Sequence, residues 1–260
     1  MAYYFASDVH LGLSYRDEDP RERERLFVAW LDAIEADCEG LFLAGDIFDF
    51  WFEYRRVVPK GFARTLGRLA AFCDRGIPVH FFVGNHDLWI GDYFATEIGM
   101  TVHTTPEVFE LYGKRIFVAH GDGLGKSGDW KYTVLRRIFH CRWLRRVAAA
   151  GLHPNTMMRF GRWWSSHNRH GRTEGVAHVF RGEEEPIVRF ARVYAADHPE
   201  TDYLVCGHIH TPIVHRLGSR CEVVILGEWI ERPAYARLSQ TTEGDGVRME
   251  LVAWPTGGSL

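Results

Sequence analysis

Five short apolar runs in this chain each break off into a cluster of Gly, Asp, Asn and His, and this recurrence constrains the fold more than any other feature. The runs are residues 3–7, 41–44, 79–83, 115–119 and 203–206. The clusters are Asp8-Val9-His10, Gly45-Asp46, Gly84-Asn85-His86-Asp87, His120-Gly121-Asp122 and Gly207-His208-Ile209-His210. Runs of this length, rich in Val, Ile, Phe and Tyr, read as buried strands, and polar loops at strand C-termini are where α/β sheets place their chemistry. Helical periodicity fills the first gaps. Residues 21–37 carry Leu26, Trp30, Leu31 and Ile34 at helical spacing, and residues 62–73 carry Phe62, Leu66, Leu69 and Phe72 before Gly76 and Pro78. The early order is therefore strand, helix, strand, helix, strand. Residues 101–111, 213–217, 222–226 and 235–238 are short runs joined by turns, which predicts a second, mixed or antiparallel sheet. With 260 residues, 46% of them hydrophobic, the chain has enough apolar material for one large core or two small ones.

The cluster composition specifies a chemistry. Asp8 and His10 stand two apart as a strand ends, which predicts that both side chains point to one side; His208 and His210 repeat the spacing. Any one such histidine is most simply a hydrogen-bonded turn residue, but five coincident strand ends argue for a shared site. Two Asp, one Asn and four His without a thiolate suit divalent Mn, Fe, Co or Zn. Seven ligands are too many for one ion unless two ions share a carboxylate. A bridged pair of ions neutralises phosphoryl oxygens during in-line displacement, so the chemistry served is hydrolysis of a phosphate ester or anhydride.

In this order and spacing, D-V-H, G-D-I-F-D, G-N-H-D, H-G-D and G-H-I-H closely resemble the motifs of the calcineurin-like metallophosphoesterases. The resemblance implies an α/β fold, a four-layer αββα sandwich of two mixed sheets flanked by helices, with the metals at the sheet ends. Carried over by motif position, it implies that Asp8, His10 and His210 hold one ion and Asn85, His120 and His208 the other, with Asp46 between them. It further implies that His86 faces the scissile phosphate without binding metal, and that Asp49, three residues after Asp46, holds it in place. Asp49 would then fix the imidazole tautomer and favour its protonated form, which makes His86 a candidate proton donor to the leaving oxygen.

A narrower resemblance rests on G-D-I-F-D-F-W, on the segment Leu152-His153-Pro154-Asn155, and on Arg162-Trp163-Trp164-Ser165. These look like the UDP-2,3-diacylglucosamine diphosphatases of lipid A synthesis, which release UMP and a diacylated glucosamine 1-phosphate. The best-known branch has Arg where this chain has His86 and a different acid at position 49, so the chain resembles a GNHD branch rather than a GNRD one.

Residues 126–172 differ from the rest. They hold eleven Lys or Arg against one acid, a local charge of +10 in a chain of net charge -3. They also hold Trp130, Trp143, Trp163 and Trp164, with Leu135, Ile138, Phe139, Leu144 and Val147 at roughly helical intervals. This reads as a helical insertion or lid within about 123–195, with a basic and aromatic face. Three readings stand: a lid for acyl chains resting on an anionic membrane surface, a grip on nucleic-acid phosphates as in a nuclease, or a solvated charged face. The lipid reading follows the narrower resemblance, with Arg162, Arg169, Trp163 and Trp164 as substrate contacts. A pI near 6.5 argues against a uniformly basic nucleic-acid binder, and no stable nucleic-acid partner is expected. A non-catalytic interaction module is the alternative from another class, disfavoured because every expected ligand type is present.

The five cysteines are scattered and form no C-x-x-C pair, which argues against a disulfide framework or zinc knuckle and implies a reducing cytosol. Residues 1–8 lack the basic and long apolar regions of a signal peptide, and no window approaches the ~18 apolar residues of a membrane span. A cytoplasmic protein, peripheral on the inner face of the cell membrane, is expected. Residues 240–260 carry one apolar run whose role the sequence leaves open.

Overall fold

A computed structural model describes residues 1–15, 18–125, 142–170, 179–241 and 246–255. Two mixed sheets face one another. The first has the order β11-β10-β1-β2-β3-β4, with β1 (Ala2–Ala6), β2 (Cys38–Leu43), β3 (Val79–Phe82) and β4 (Thr101–His103) parallel. β10 (Ala234–Gln240) and β11 (Val247–Ala253) extend that sheet antiparallel. The second has the order β5-β6-β7-β9-β8, where β6 (Lys114–Val118), β7 (Tyr203–Cys206) and β9 (Cys221–Ile225) are parallel. β5 (Glu107–Leu111) and β8 (Ile213–Leu217) form its antiparallel edges.

Three apolar layers hold this arrangement together. α1 (Pro20–Ile34) starts with Pro20 in its first turn and with the Asp19 carboxylate accepting from Arg21 N at 3.0 Å. It buries Phe27, Trp30, Leu31 and Ile34 on the outer face of the first sheet, beside Leu66, Leu69 and Phe72 of α2 (Ala63–Asp74). Between the sheets, Phe5, Phe42 and Phe82 meet Ile116, Val118, Val205 and Val224. On the outer face of the second sheet lies α5 (Pro186–Asp197), which packs Ile187, Val188 and Ala191 against Leu204, Val223 and Ile225. The layers are thus αββα, the architecture expected from the sequence.

The strands distribute between the sheets differently from the expectation that all the later runs share a second one. The 101–111 run splits around Pro106, which has no N–H to donate to a ladder; β4 before it joins the first sheet and β5 after it the second. Residues 235–238 lie in β10, which also belongs to the first sheet. The 240–260 segment supplies β11, whose Val247, Met249 and Leu251 alternate with Arg248 and Glu250 as a half-buried strand requires.

α3 (Arg142–Gly151) and α4 (Pro154–His170) are the described part of the basic insertion. Ala148, Ala149, Met157 and Phe160 pack on Phe50 and Phe52, in the loop that follows β2. Trp130, Leu135, Ile138, Phe139 and residues 171–172 lie outside the described residues, as do the side chains of Leu144 and Arg169.

One edge of the inter-sheet core contains a histidine pair. His80 Nδ1 and His103 Nε2 are 3.0 Å apart, so one ring donates and the other accepts, and both are neutral. His80 stacks on Phe42 and His103 on Phe82, at centroid distances of 4.7 and 4.5 Å. Burial lowers the pKa of His80 to about 4 and lowers that of His103 as well. A histidine whose folded pKa is depressed stabilises the fold above its unfolded value and loses that contribution as pH falls toward the folded one. The window here is about pH 6.5 down to about 4. Melting temperature should fall across that window, and fall less in a His80→Phe/His103→Phe variant; parallel pH profiles for the two proteins would refute the assignment.

Candidate metal centre

The clusters meet because the parallel strands β1, β2, β3, β6 and β7 all point their C-terminal ends at one place. The loop after β1 runs on beside the loop after β2, with Asp8 N donating to Gly45 O and His10 N to Asp46 O, both at 3.0 Å. The two sheets are joined across the site by His120 Nδ1, which donates to Ala44 O at 2.9 Å, and by His208 N, which donates to Asp8 Oδ2 at 2.9 Å.

Two groups of ligand atoms form. In the first, Asp8 Oδ1, His10 and His210 converge, their ligand atoms within 4.8 Å of one another. His210 Nε2 is 3.3 Å from Asp8 Oδ1 and 3.4 Å from His10 Nε2. Ser7 Oγ and His208 N both donate to Asp8 Oδ2, which leaves Oδ1 buried with no hydrogen-bond donor and turned toward the two imidazoles. In the second group, Asp46, His120 and His208 converge on the same scale. His120 Nε2 lies 3.3 Å from Asp46 Oδ2 and 3.2 Å from Asn85 Oδ1. Asp46 Oδ1 accepts from His86 N at 2.8 Å.

The electrostatics are those of a site built for cations. Burial pushes the Asp8 carboxyl up, but the imidazoles of His210 and His120 together outweigh burial and hold it down, at about 2. Asp46 is likewise held well below the carboxylate range by His120 against the opposing effect of burial. Burial lowers His10 and His208 to about 4, so both rings are neutral at pH 7 with a lone pair to offer. His120 is the exception: burial opposes its protonation, yet the Asp46 carboxylate raises it well above the ordinary value. Its Nε2 faces both Asp46 and Asn85, and a divalent ion held by these residues would displace the proton. An orphaned carboxylate oxygen, neutral imidazoles and low carboxylate pKa values fit a pair of divalent ions.

The backbone is bent to make this possible. Among the described residues, seven other than glycine have positive φ, and five of them are Asp8, His10, Asp46, His208 and His210. Left-handed backbone is costly for such residues and gathers at functional sites. The expected strand alternation is therefore not what aims Asp8 and His10. β1 ends at Ala6, and the two residues are turned by φ of 53° and 50°. His208 and His210 are turned likewise and join different groups. Gly84 is required for close approach, since a Cβ there would lie 2.2 Å from Asp46 Oδ1.

The calcineurin-like phosphoesterase family profile matches residues 1–212. The chain belongs to this family. A UDP-2,3-diacylglucosamine hydrolase from Porphyromonas gingivalis is 39% identical over 249 residues, covering 92% of this chain and 94% of that protein. One of the same name from Aeromonas hydrophila is 28% identical, covering 92% and 98%. Among solved structures, a dimetal phosphatase from Danio rerio matches all of this chain and 97% of its own with a TM-score of 0.53, at 14% identity, a likeness of fold.

Around the two ligand groups, this phosphoesterase places the other residues named from its sequence. His86 Nδ1 is 3.0 Å from Asp49 O, a main-chain acceptor that fixes the Nδ1–H tautomer. The Asp49 carboxylate is further off: Oδ1 is 3.8 Å from His86 Nδ1 and 3.6 Å from His10 Nδ1. A small pocket opens here, lined by Asp49, Asn85, His86, Trp89, Phe160 and Trp164. Arg162 and Trp163 lie on the exposed side of α4, and Arg169 lies on its last turn. Three contributors were not singled out by sequence. Ser7 holds Asp8, and Ser165 of α4 donates to Asp49 Oδ1 at 2.7 Å. Asp87, fully buried, accepts from Gly84 N at 2.6 Å and Ile47 N at 3.1 Å, tying the loop after β3 to the loop after β2. Burial, and then the nearby Asp46 charge, raise its pKa to about 8.

Proposed function

We propose that the protein is a dinuclear metal-dependent hydrolase that cleaves the pyrophosphate of UDP-2,3-diacylglucosamine to UMP and 2,3-diacylglucosamine 1-phosphate. The observation that carries this reading is a buried carboxylate and imidazole centre in a chain 39% identical to a UDP-2,3-diacylglucosamine hydrolase over 92% of its length. Asp8, His10 and His210 would hold one ion, Asn85, His120 and His208 the other, and Asp46 would lie between them. Mn is the metal we favour, with Fe, Zn and Co as alternatives, because oxygen and imidazole donors accept all four. Bound there, such ions activate water at neutral pH and neutralise charge on the phosphoryl oxygens.

The chain's own residues supply the rest. Asp49 O keeps the His86 proton on Nδ1, so a protonated His86 has its Nε2–H to give to the departing phosphate oxygen. We read residues 1–260 as one domain, with the insertion within about 123–195 serving as the substrate lid. Trp164 and Phe160 bring its apolar surface to the pocket beside His86, while Arg162, Arg169 and Trp163 would meet the headgroup and acyl chains. Trp143 is 68% exposed and Trp163 56%, and Val147 and Leu152 are exposed as well. Apolar groups of this size among arginines suit peripheral docking on an anionic membrane surface at the inner face of the cell membrane. No helix among the described residues is long and apolar enough to cross a membrane.

Acyl chains buried at ~0.8 kcal/mol per methylene give UDP-2,3-diacylglucosamine an advantage of several orders of magnitude in kcat/KM over the unacylated sugar nucleotide, even when few carbons are covered. Rates measured on these two substrates and on single-stranded DNA test this. Equal rates with and without acyl chains would overturn the lipid reading, and preferential DNA cleavage would make the protein a nuclease.

A further inference from the structure

α4 turns one face to the metal centre, and that face is built for close approach. Met157, Gly161 and Ser165 recur at i, i+4 and i+8, and all three are buried. A Cβ on Gly161 would lie 2.2 Å from the Phe50 ring, so the helix backbone is seated directly on the residue that follows Asp49. One turn further on, the Ser165 hydroxyl donates to Asp49 Oδ1 at 2.7 Å across 116 positions of sequence. That same oxygen faces His10 Nδ1 at 3.6 Å and His86 Nδ1 at 3.8 Å.

We propose that Ser165 is a positioning residue that ties the seating of α4 to the metal centre, holding the Asp49 carboxylate and through it the imidazole of His10. The inference rests on the reading of His10 as a metal ligand. At 3.6 Å the carboxylate and the imidazole Nδ1 face one another a few tenths of an ångström beyond hydrogen-bond distance. An acid behind a ligating histidine keeps the ring proton on the far nitrogen and makes the near nitrogen a better ligand. Here the far nitrogen is Nδ1, on the Asp49 side, and Nε2 points to Asp8 and His210. The carboxylate serves His10 best when its rotation is restricted, and the Ser165 hydrogen bond contributes to that from the helix whose next residue back, Trp164, lines the pocket beside His86. Substrate that seats α4 thereby sets the metal ligand, so recognition and hydrolysis share one hydrogen bond.

The test uses the full chain with Mn²⁺, UDP-2,3-diacylglucosamine, and bis(p-nitrophenyl) phosphate, a small diester with no acyl chain. Loss of a group behind a metal ligand costs about 10- to 100-fold in activity or metal affinity. Ser165→Ala should therefore lower kcat about 10-fold on both substrates with KM nearly unchanged, and weaken Mn²⁺ binding by calorimetry about 10-fold. Ser165→Thr, which keeps the hydroxyl, should restore most of both. In an Asp49→Ala background, Ser165→Ala should add little further loss of Mn²⁺ affinity. If Ser165→Ala instead raises KM for the acylated substrate alone and leaves Mn²⁺ affinity and diester turnover intact, the residue only packs or binds substrate and the proposal falls. Additive losses in the Asp49→Ala background would overturn it too. Should the parent fail to cleave UDP-2,3-diacylglucosamine while the diester and Mn²⁺ effects hold, the substrate assignment fails and the coupling stands.

Discussion

Asp46→Ala is expected to abolish hydrolysis and to lower the metal content below two ions per chain. In the proposed arrangement this carboxylate lies between the two ions. Its Oδ2 faces His120 Nε2 at 3.3 Å, and its Oδ1 accepts from His86 N at 2.8 Å, holding the loop after β3 against the loop after β2. Alanine removes the negative charge that opposes repulsion between two cations, and leaves the His86 N–H without its acceptor. Asp46→Asn separates these effects, since an amide keeps the shape and one acceptor oxygen but not the charge. The asparagine protein should fold with the parent's melting temperature in the absence of metal to within a few degrees, yet bind metal poorly and turn over slowly. Metal analysis after gel filtration and an assay on bis(p-nitrophenyl) phosphate measure both. An alanine protein that retains two metals and full activity would remove the shared-carboxylate arrangement.

His86→Ala should lose about 10²-fold or more in kcat, the usual scale for a general acid, with both metals retained. The separation follows from geometry. His86 Nδ1 is engaged with Asp49 O at 3.0 Å, and the ring lines the pocket with Trp164 and Phe160. The ring also stands edge-on to His10, centroids 4.8 Å apart, and its Nδ1 approaches the carboxylate that faces His10. A candidate group of His10, Asp49 and His86 follows from those distances, and the variant decides between the roles. A ligand lost with its side chain takes an ion with it, whereas a proton donor takes only rate. Substrates with a better leaving group need less help from an acid, so the loss should shrink for a p-nitrophenyl ester.

The chemistry was more legible in the sequence than the route that the backbone takes to deliver it. The five strand ends were visible because each apolar run stops at a Gly, Asp, Asn or His, and such stops mark loops regardless of which sheet a strand joins. Which sheet was not visible. β4 and β5 form one stretch in sequence and belong to opposite sheets; Pro106 marks the break, but which sheet each half joins depends on its pairing partners. β11 carries a period-two signal in Val247, Met249 and Leu251, but such a signal does not say which strand it pairs with. The grouping of Asp8 and His10 with His210 is what motif order implies, while the side to which Asp8 and His10 turn is set by left-handed backbone rather than by alternation along a strand. Left-handed φ values at Asp8 and His10 arise from tertiary hydrogen bonds to Gly45 and Asp46, which no local pattern records. The contact of Ser165 with Asp49 was invisible for the same reason, since it joins positions 116 apart through a helix whose seating depends on Gly161 and Phe50.

The insertion gave up least. Its charge and tryptophans were plain from composition, but an amphipathic basic helix serves lipid, nucleic acid or solvent equally well in sequence terms. The packing of Met157 and Phe160 on Phe50 and Phe52 brings an aromatic helix beside the ligand groups and leaves Trp143 and Trp163 facing outward.

The most direct test of a metal-dependent pyrophosphate hydrolase is product analysis by mass spectrometry. Metal-stripped protein, incubated with UDP-2,3-diacylglucosamine before and after addition of Mn²⁺, should yield UMP and 2,3-diacylglucosamine 1-phosphate in equal amounts only once the metal is present. Turnover that is unchanged by chelation, or an intact substrate after prolonged incubation with Mn²⁺, would contradict it.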